Sequence, residues 1–243
     1  MDDGGRAPAR PRAVPARRVR LRFDGWIAGL GTSSGTRIVL GHWPGSPFGS
    51  FSDVMIERPD GHRILLAPSP NVARFVAATY VFDDVQVAPV RVRVAGAEWS
   101  VAAAALTLRF VTGRRGPLGH LLGAVPGALA ARPAWAAVMA PPARLLGLRT
   151  RGSARDGRRE WYGAQDLHRI TDAAATYEGE DLGRLARVEP PVRFGFGSTP
   201  RRPCVVRVTT TVALPTGVRD TADLRGDAQG VHHPHRGAAV DDA

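Results

Sequence analysis

Four residues with acid–base side chains lie where a folded chain could bring them together. Glu160 and Tyr162 are two positions apart, so both would face the same side of a strand. Asp166 and His168 would share a face if a strand resumes beyond them. A tyrosine beside an acid or a histidine can polarise a carbonyl group or move a proton. We therefore predict that Glu160, Tyr162 and His168 are catalytic residues, together with Asp53 from a separate predicted strand. The alternative is that the polar groups near residue 160 face solvent around a packed Trp161.

The predicted hairpin at 51–67 carries two carboxyl groups on one strand face. Asp53 and Glu57 alternate there with Phe51 and Met55. Four residues of strand span ~13 Å, which exceeds the roughly 5–9.5 Å between paired glycosidase carboxyl groups. A carboxylate dyad is therefore not expected. A single Asp53 in a barrel lumen, buried and with a raised pKa, could serve as acid or base; the alternative is a carboxylate that faces solvent or pairs with arginine.

Rings next to glycines indicate where a ligand could lie. Residues 41–43 read Gly-His-Trp, and residues 194–197 read Phe-Gly-Phe-Gly. Glycine in a strand lets a backbone or a ligand approach closely. The predicted ligand-binding residues are His42, Trp43, Met55, Phe194 and Phe196. The alternatives are a tryptophan that closes one end of a core and phenylalanines that only fill it.

Several classes of chemistry are excluded by composition. All 33 cationic residues are arginine, so no lysine can form a Schiff base and no P-loop lysine exists. Cys204 is the single cysteine, which rules out an intrachain disulfide and a cysteine-rich zinc site. Of the seven histidines, three lie in the predicted tail, and the other four, His42, His62, His120 and His168, show neither an HxH nor an HExxH spacing. We predict no metal and no cofactor.

Short strands with turn residues between them dominate the pattern. Apolar alternation or β-branched runs predict strands at 19–23, 36–40, 51–57, 62–67, 85–94, 106–110, around 160–162 and at 206–214. Pro59-Asp60-Gly61 predicts a hairpin turn. The alternation of valines with other residues over 85–94 shifts by one position at Ala88-Pro89, which suggests a bulge or a sheet corner. Residues 31–35 match G-x-S-x-G, but a strand follows them, so we predict a hairpin loop rather than a nucleophile elbow.

Helical periodicity is confined to two segments. Ser69-Pro70 predicts a capped short helix that ends before Tyr80. Residues 117–147 carry apolar residues at helical spacing and are interrupted by Arg132 and several prolines. Two short helices packed on the sheet are favoured over a membrane-surface hairpin, and the prolines argue against a membrane span. The fold class predicted is mainly β (α+β), an antiparallel barrel or two-sheet sandwich with a short helical insertion around 117–147.

The ends of the sequence differ from its middle. Residues 1–22 hold seven arginines and two aspartates. We predict a disordered basic arm over 1–17, one β-rich domain over 18–218 and a disordered tail over 219–243. No apolar stretch follows the first residues, which favours a cytoplasmic protein over a secreted one.

Three functions are compatible with these features. The first is a barrel-like protein that binds a small apolar or amphipathic molecule, with the helical insertion as a lid. The second is an isomerase, dehydratase or cyclase that uses the same cavity without lysine or cysteine, with arginines stabilising an oxyanion. The third is binding of the arginine arm to nucleic acid or to an anionic membrane surface. Nucleic acid is disfavoured because aromatic residues are only 7%. An integral membrane protein is not expected, and the oligomeric state stays open.

Overall fold

A computed structural model describes residues 19–125, 151–153, 158–195 and 199–214. These residues form a mainly β fold with two short helices, α1 (Pro70–Ala77) and α2 (Pro117–Gly123). The strands are β1 (Arg20–Thr32), β2 (Arg37–Gly45), β3 (Phe51–Glu57), β4 (Arg63–Ala67), β5 (Asp84–Val87), β6 (Val90–Ala95), β7 (Glu98–Ala103), β8 (Leu106–Arg115), β9 (Arg151–Ser153), β10 (Arg159–Tyr177), β11 (Glu180–Asp181), β12 (Leu185–Ala186) and β13 (Cys204–Ala213).

Ten of these strands form one curled sheet, a half-barrel, in the order β5-β4-β3-β2-β1-β13-β10-β8-β7-β6. All neighbours in this order are antiparallel except β4 and β5, which are parallel and are joined through α1. The curl brings Trp99 on β7 against the rings of Trp26 on β1 and His42 on β2. The predicted mainly β, barrel-like fold with a short helical insertion is confirmed.

Each long strand presents a different set of side chains on each of its two faces. One face, which we call the core face, packs β1–β4 against β7, β8 and the second half of β10, around Leu30, Ile38 and Phe110. The opposite face, which we call the cavity face, packs against α1 and residues 188–194. Because these strands carry apolar side chains on both faces of the sheet, their apolar residues can run continuously rather than alternate with polar ones.

Local sequence signals account for the turns and for the first helix. The turn at Pro59-Asp60-Gly61 joins β3 to β4, with Gly61 at a φ of 91° that glycine adopts without strain. Ser69 caps α1 by accepting a hydrogen bond from the Val72 amide, as predicted. Residues 32–35 form the turn between β1 and β2, so the G-x-S-x-G match lies in a hairpin loop as predicted.

The phase slip at Ala88-Pro89 marks a crossing between the two edges of the sheet. β5, before the slip, pairs with β4 at one edge, and β6, after it, pairs with β7 at the other edge. The predicted sheet corner is therefore found at this position, and the bulge alternative is not.

A buried ion-pair cluster fixes residues 188–194 to the hairpin of β2 and β3. The Glu57 side chain is fully buried and lies 2.9 Å from the Arg37 guanidinium. It also accepts hydrogen bonds from the amide of Arg193 at 2.6 Å and from its Nε at 2.9 Å. Because a buried carboxylate is stable only when its oxygens are paired, this cluster sets where the 188–194 segment lies over the sheet.

Part of the predicted organisation falls outside the described residues. Of the predicted helical insertion, α2 is described and packs on β8 and β10 through Leu122. Residues 126–150, the predicted arm over 1–17 and the predicted tail over 219–243 lie outside. Neither α1 nor α2 has the length and apolar character that crossing a bilayer requires. Within the ranges given above, no three histidine, cysteine, aspartate or glutamate side chains come together as a metal site.

Candidate functional site

A cavity of about 140 Å³ lies on the cavity face, below α1. Its wall is apolar over most of its area and includes residues from β1, β2, β3, β10 and β13, together with Val192, Phe194, Thr199 and Pro200. Side chains with hydroxyl or carboxyl groups interrupt this wall, namely Asp53, Thr79, Tyr80, Glu160, Tyr162, Thr199 and Thr210. The cavity is therefore an apolar space with a few converging polar groups, which is the common composition of small-molecule sites.

Asp53 is held at the wall by its strand register. It lies on β3 directly opposite Gly41 of β2, and one of its oxygens accepts a hydrogen bond of 3.0 Å from the Trp43 indole N–H. A Cβ added to Gly41 would come within 2.5 Å of both that oxygen and the indole nitrogen, so glycine is needed for the indole to cross the strand. The Asp53 side chain is almost fully buried, and this desolvation raises its pKa to about 7.

Glu160 carries the second carboxyl group, which two tyrosines hold. The Tyr80 hydroxyl lies 3.0 Å from both carboxyl oxygens of Glu160, and the Tyr162 hydroxyl lies 3.1 Å from one of them. The two hydroxyls are 2.7 Å apart. Burial raises the pKa of Glu160 to about 7, although the tyrosine hydrogen bonds oppose this shift. Burial, followed by the nearby Glu160 charge, raises the pKa of both tyrosines well above their ordinary value.

The two carboxyl groups, on β3 and β10, line the same cavity. The charge of Asp53 on β3 contributes to the raised pKa of Tyr162 on β10. Between these strands, the buried hydroxyl of Thr210 on β13 has no hydrogen-bond partner within the described part of the chain. Two carboxyl groups that titrate near neutral pH can each accept or donate a proton there, and tyrosine hydroxyls with raised pKa values remain hydrogen-bond donors.

A guanidinium group lies behind this wall rather than in it. Arg158 donates hydrogen bonds to the Phe75 carbonyl at 3.0 Å and to the Thr79 hydroxyl at 2.7 Å, and it covers the Phe75 ring. Its charge lowers the pKa of Glu160, but less than burial raises it. Among the described residues no arginine lines the cavity. The expectation that arginines would stabilise an oxyanion is therefore not met by the described part of this wall. The hydroxyl groups of Tyr80 and Tyr162 line the cavity instead.

Six of the nine predicted site residues lie together in this wall. They are Asp53, Glu160, Tyr162, Trp43, Met55 and Phe194. The Trp43 ring is on the cavity face, beside Asp53 and against the Phe23 ring. Phe196 lies outside the described residues.

His42 and His168 are on the core face, and they do not reach the cavity. His42 alternates with Gly41 and Trp43, so it points to the opposite side of β2. In β10 the register with β13 shifts between Ala164 and Asp166. This extra residue reverses the alternation, so Glu160 and Tyr162 face the cavity while His168 faces away. The prediction that His168 joins the same site is thus wrong, and the bulge is the reason.

Tyr80 is the residue that the sequence did not reveal. It follows the end of α1, and its hydroxyl meets Glu160 across 80 positions of sequence. Nothing in the local pattern distinguishes it from an aromatic residue that ends a helix. Its role depends on a contact between the residue that follows α1 and the start of β10, which periodicity along the sequence does not report.

Comparison with known proteins gives matches among solved structures. No family model matches the sequence, and no curated protein matches it. Among solved structures, acetoacetate decarboxylase from Legionella pneumophila is similar with a TM-score of 0.39 and 8% sequence identity, over 87% of this chain and 91% of that chain.

Proposed function

We propose that the cavity binds a small, mainly apolar molecule that carries an oxygen function. The supporting observation is an apolar wall in which the carboxyl group of Asp53 and the cluster of Tyr80, Tyr162 and Glu160 meet at one space. Apolar area supplies the driving force for binding, and a few fixed polar groups supply orientation.

The size of the cavity limits the ligand. A volume of about 140 Å³ is close to the ~150 Å³ of an engineered apolar cavity that takes up benzene. The ligand that fits without a change in the wall is therefore of the size of a single ring, such as a phenol or a cyclic ketone.

The charges around the cavity favour a neutral ligand over an anion. Two carboxyl groups line the space, and both gain negative charge as the pH rises through about 7. No arginine of the described residues is in the wall to offset that charge. A neutral carbonyl or hydroxyl group can instead accept a hydrogen bond from a tyrosine or from a protonated carboxyl group.

Filling the cavity tests this proposal. Phenol and cyclohexanone are titrated by calorimetry and by saturation-transfer NMR into the protein and into Ala164→Leu, which places a larger side chain in the wall. The matched control is Ala102→Leu on the exposed face of β7. We expect Ala164→Leu to weaken binding at least about tenfold and the control to leave it unchanged. Failure of both probes to bind the unmodified protein, or equal binding by the two variants, overturns the proposal.

A second candidate function, proton transfer on such a ligand, is favoured by the two carboxyl groups with pKa values of about 7. One Asp53 oxygen is fixed by Trp43, which leaves the other oxygen as the one able to take a proton from carbon. A carboxylate that removes a proton next to a carbonyl group leaves an enolate, which tyrosine hydroxyls can stabilise. Return of that proton to a different carbon completes an isomerisation in which no atom is gained or lost.

Isotope exchange tests this step separately from binding. In D₂O, exchange of the protons next to the carbonyl of cyclohexanone is followed by NMR with the protein, with Asp53→Asn and with Asp172→Asn. Asp172 lies exposed on β10 and serves as the matched control. We expect exchange to be lost only in Asp53→Asn. Binding without catalysed exchange refutes proton transfer and leaves the binding proposal intact.

A further inference from the structure

A second pocket lies on the core face, on the opposite side of β1, β10 and β13 from the cavity. Its volume is about 440 Å³, and it includes Trp26, Trp99 and Val205, which belong to the core. Pro44, Gly96 and Thr112 lie at or near the ends of their strands and complete the wall. The pocket therefore opens at one end of the curled sheet, which is a common place for ligands in barrel-like folds.

Three aromatic rings form one side of this pocket. The ring of His42 stacks on Trp26 with 5.8 Å between centroids, and both rings meet Trp99, at 5.9 Å and 6.2 Å. His42 is fixed by a hydrogen bond of 2.8 Å between its Nδ1 and the Ser52 hydroxyl. Burial lowers the pKa of His42, so this side of the pocket is uncharged near neutral pH. A planar apolar group can pack against such rings.

Arg207 supplies a cation at the same pocket. Its guanidinium lies 5.9 Å from the centre of the Trp26 ring. Trp26 is the residue of β1 that pairs with Arg207 of β13. Within the described ranges, no carboxylate forms an ion pair with Arg207. Stacking on an indole orients a guanidinium and leaves its N–H edge available for hydrogen bonds.

The acidic groups nearest to Arg207 are already bound to other residues. Asp166, its neighbour on β10, accepts hydrogen bonds from Arg115 at 2.5 Å and from the Leu167 amide at 2.8 Å, and it lies 3.3 Å from His168. Asp24 is held by Arg22 at 2.8 Å and by Thr209 at 2.6 Å. Arg207 acts on Asp24 through its charge, but among the described residues neither carboxylate accepts a hydrogen bond from the Arg207 guanidinium, so its N–H groups remain for a ligand.

We propose that this second pocket binds an organic carboxylate with a planar apolar body, with the carboxylate on Arg207 and the body against Trp26, His42 and Trp99. A guanidinium fork matches a carboxylate in two parallel hydrogen bonds. The occupant differs from the neutral ligand proposed for the cavity, and the inference does not depend on that proposal because the two sites share no lining residue.

The experiment uses benzoate as the probe and compares it with benzylammonium and benzyl alcohol, which have a similar ring without the negative charge. Binding to the full chain is measured by calorimetry. We expect benzoate to bind most tightly and Arg207→Met to weaken it at least about tenfold. Arg91→Met, at an exposed arginine on β6, is the matched control and should bind benzoate like the unmodified protein.

Two further variants keep the result interpretable. Arg207→Lys retains the charge without the planar fork and should fall between the unmodified protein and Arg207→Met. Trp26→Leu should weaken both benzoate and benzyl alcohol, and benzoate more strongly, because it removes ring contact and also the indole that orients Arg207. Preference for benzylammonium, no benzoate binding, or equal benzoate affinity in Arg207→Met and Arg91→Met overturns the proposal. Loss of phenol or cyclohexanone binding would leave it unaffected, because those probes report on the cavity.

Discussion

Replacement of Asp53 by asparagine should change how the stability of the protein depends on pH. Asparagine has nearly the same shape, and its carbonyl oxygen can still accept the hydrogen bond from the Trp43 indole. What the substitution removes is ionisation. Burial raises the pKa of the Asp53 carboxyl from 3.8 to about 7, so ionisation is easier in the unfolded chain than in the folded one.

The size and sign of the effect come from that difference in pKa. Between about pH 4 and 7 the unfolded chain has released the Asp53 proton while the folded chain still holds it, so the free energy of unfolding falls as the pH rises. A difference of about three pKa units corresponds to ~4 kcal/mol. This contribution to the free energy of unfolding is fully present below about pH 4 and is lost by about pH 7. At that pH the free energy of unfolding of Asp53→Asn should exceed that of the unmodified protein by up to ~4 kcal/mol.

Urea unfolding at several values between about pH 4 and 8 measures this difference. The buried carboxyl of Glu160 acts in the same direction, but it is present in both proteins and cancels when their stabilities are subtracted. Asp172→Asn, at an exposed position on β10, controls for the loss of a carboxyl group as such. Parallel stability profiles for the unmodified protein and Asp53→Asn would refute the reasoning, because they would mean that Asp53 ionises as easily in the folded state.

Three further outcomes follow from the same contacts. Glu57→Gln should lower the free energy of unfolding by about 3–5 kcal/mol in urea titrations, because it leaves the buried Arg37 guanidinium without its counter-charge, whereas Glu98→Gln on the exposed surface should change it by less than about 1 kcal/mol. Gly41→Ala should lower stability by about 1–3 kcal/mol, measured in the same way, since the added methyl group collides with the Asp53–Trp43 hydrogen bond. The Cys204 thiol, whose pKa burial raises to about 12, should react with a disulfide reagent only when urea unfolds the chain; rapid reaction of the folded protein would contradict its burial.

Local signals were sufficient for the turns, the first helix and parts of most long strands, but not for β7 or for the full lengths of β1 and β10. The hairpin around Asp60, the cap at Ser69 and the loop at 31–35 depend on residues within a few positions of each other, and the structure has each of them. The order of strands in the sheet could not be predicted in this way. It depends on pairings such as β1 with β13, which join residues nearly two hundred positions apart and leave no periodic trace.

The candidate site was only partly predictable for a related reason. Glu160 and Tyr162 were found because alternation along their strand placed them on a common face, and Asp53 was found because it alternates with apolar residues on a separate strand. His168 was assigned to the wrong face because a single extra residue in β10 reverses the alternation, and no glycine or proline marks that bulge between Ala164 and Asp166. Tyr80 was missed because its partner lies on another element.

The position of β13 has a consequence for how the molecule is made. It is the last described strand in the chain, yet it lies between β1 and β10 in the middle of the sheet. A nascent chain that has left the ribosome only as far as β12 therefore holds two separate runs of strands, each with an unpaired edge. The two runs can pair into one sheet only after translation has passed residue 213, the end of β13. The contacts of β13 with β1 and β10 therefore have high contact order, and they cannot form while the earlier segments emerge.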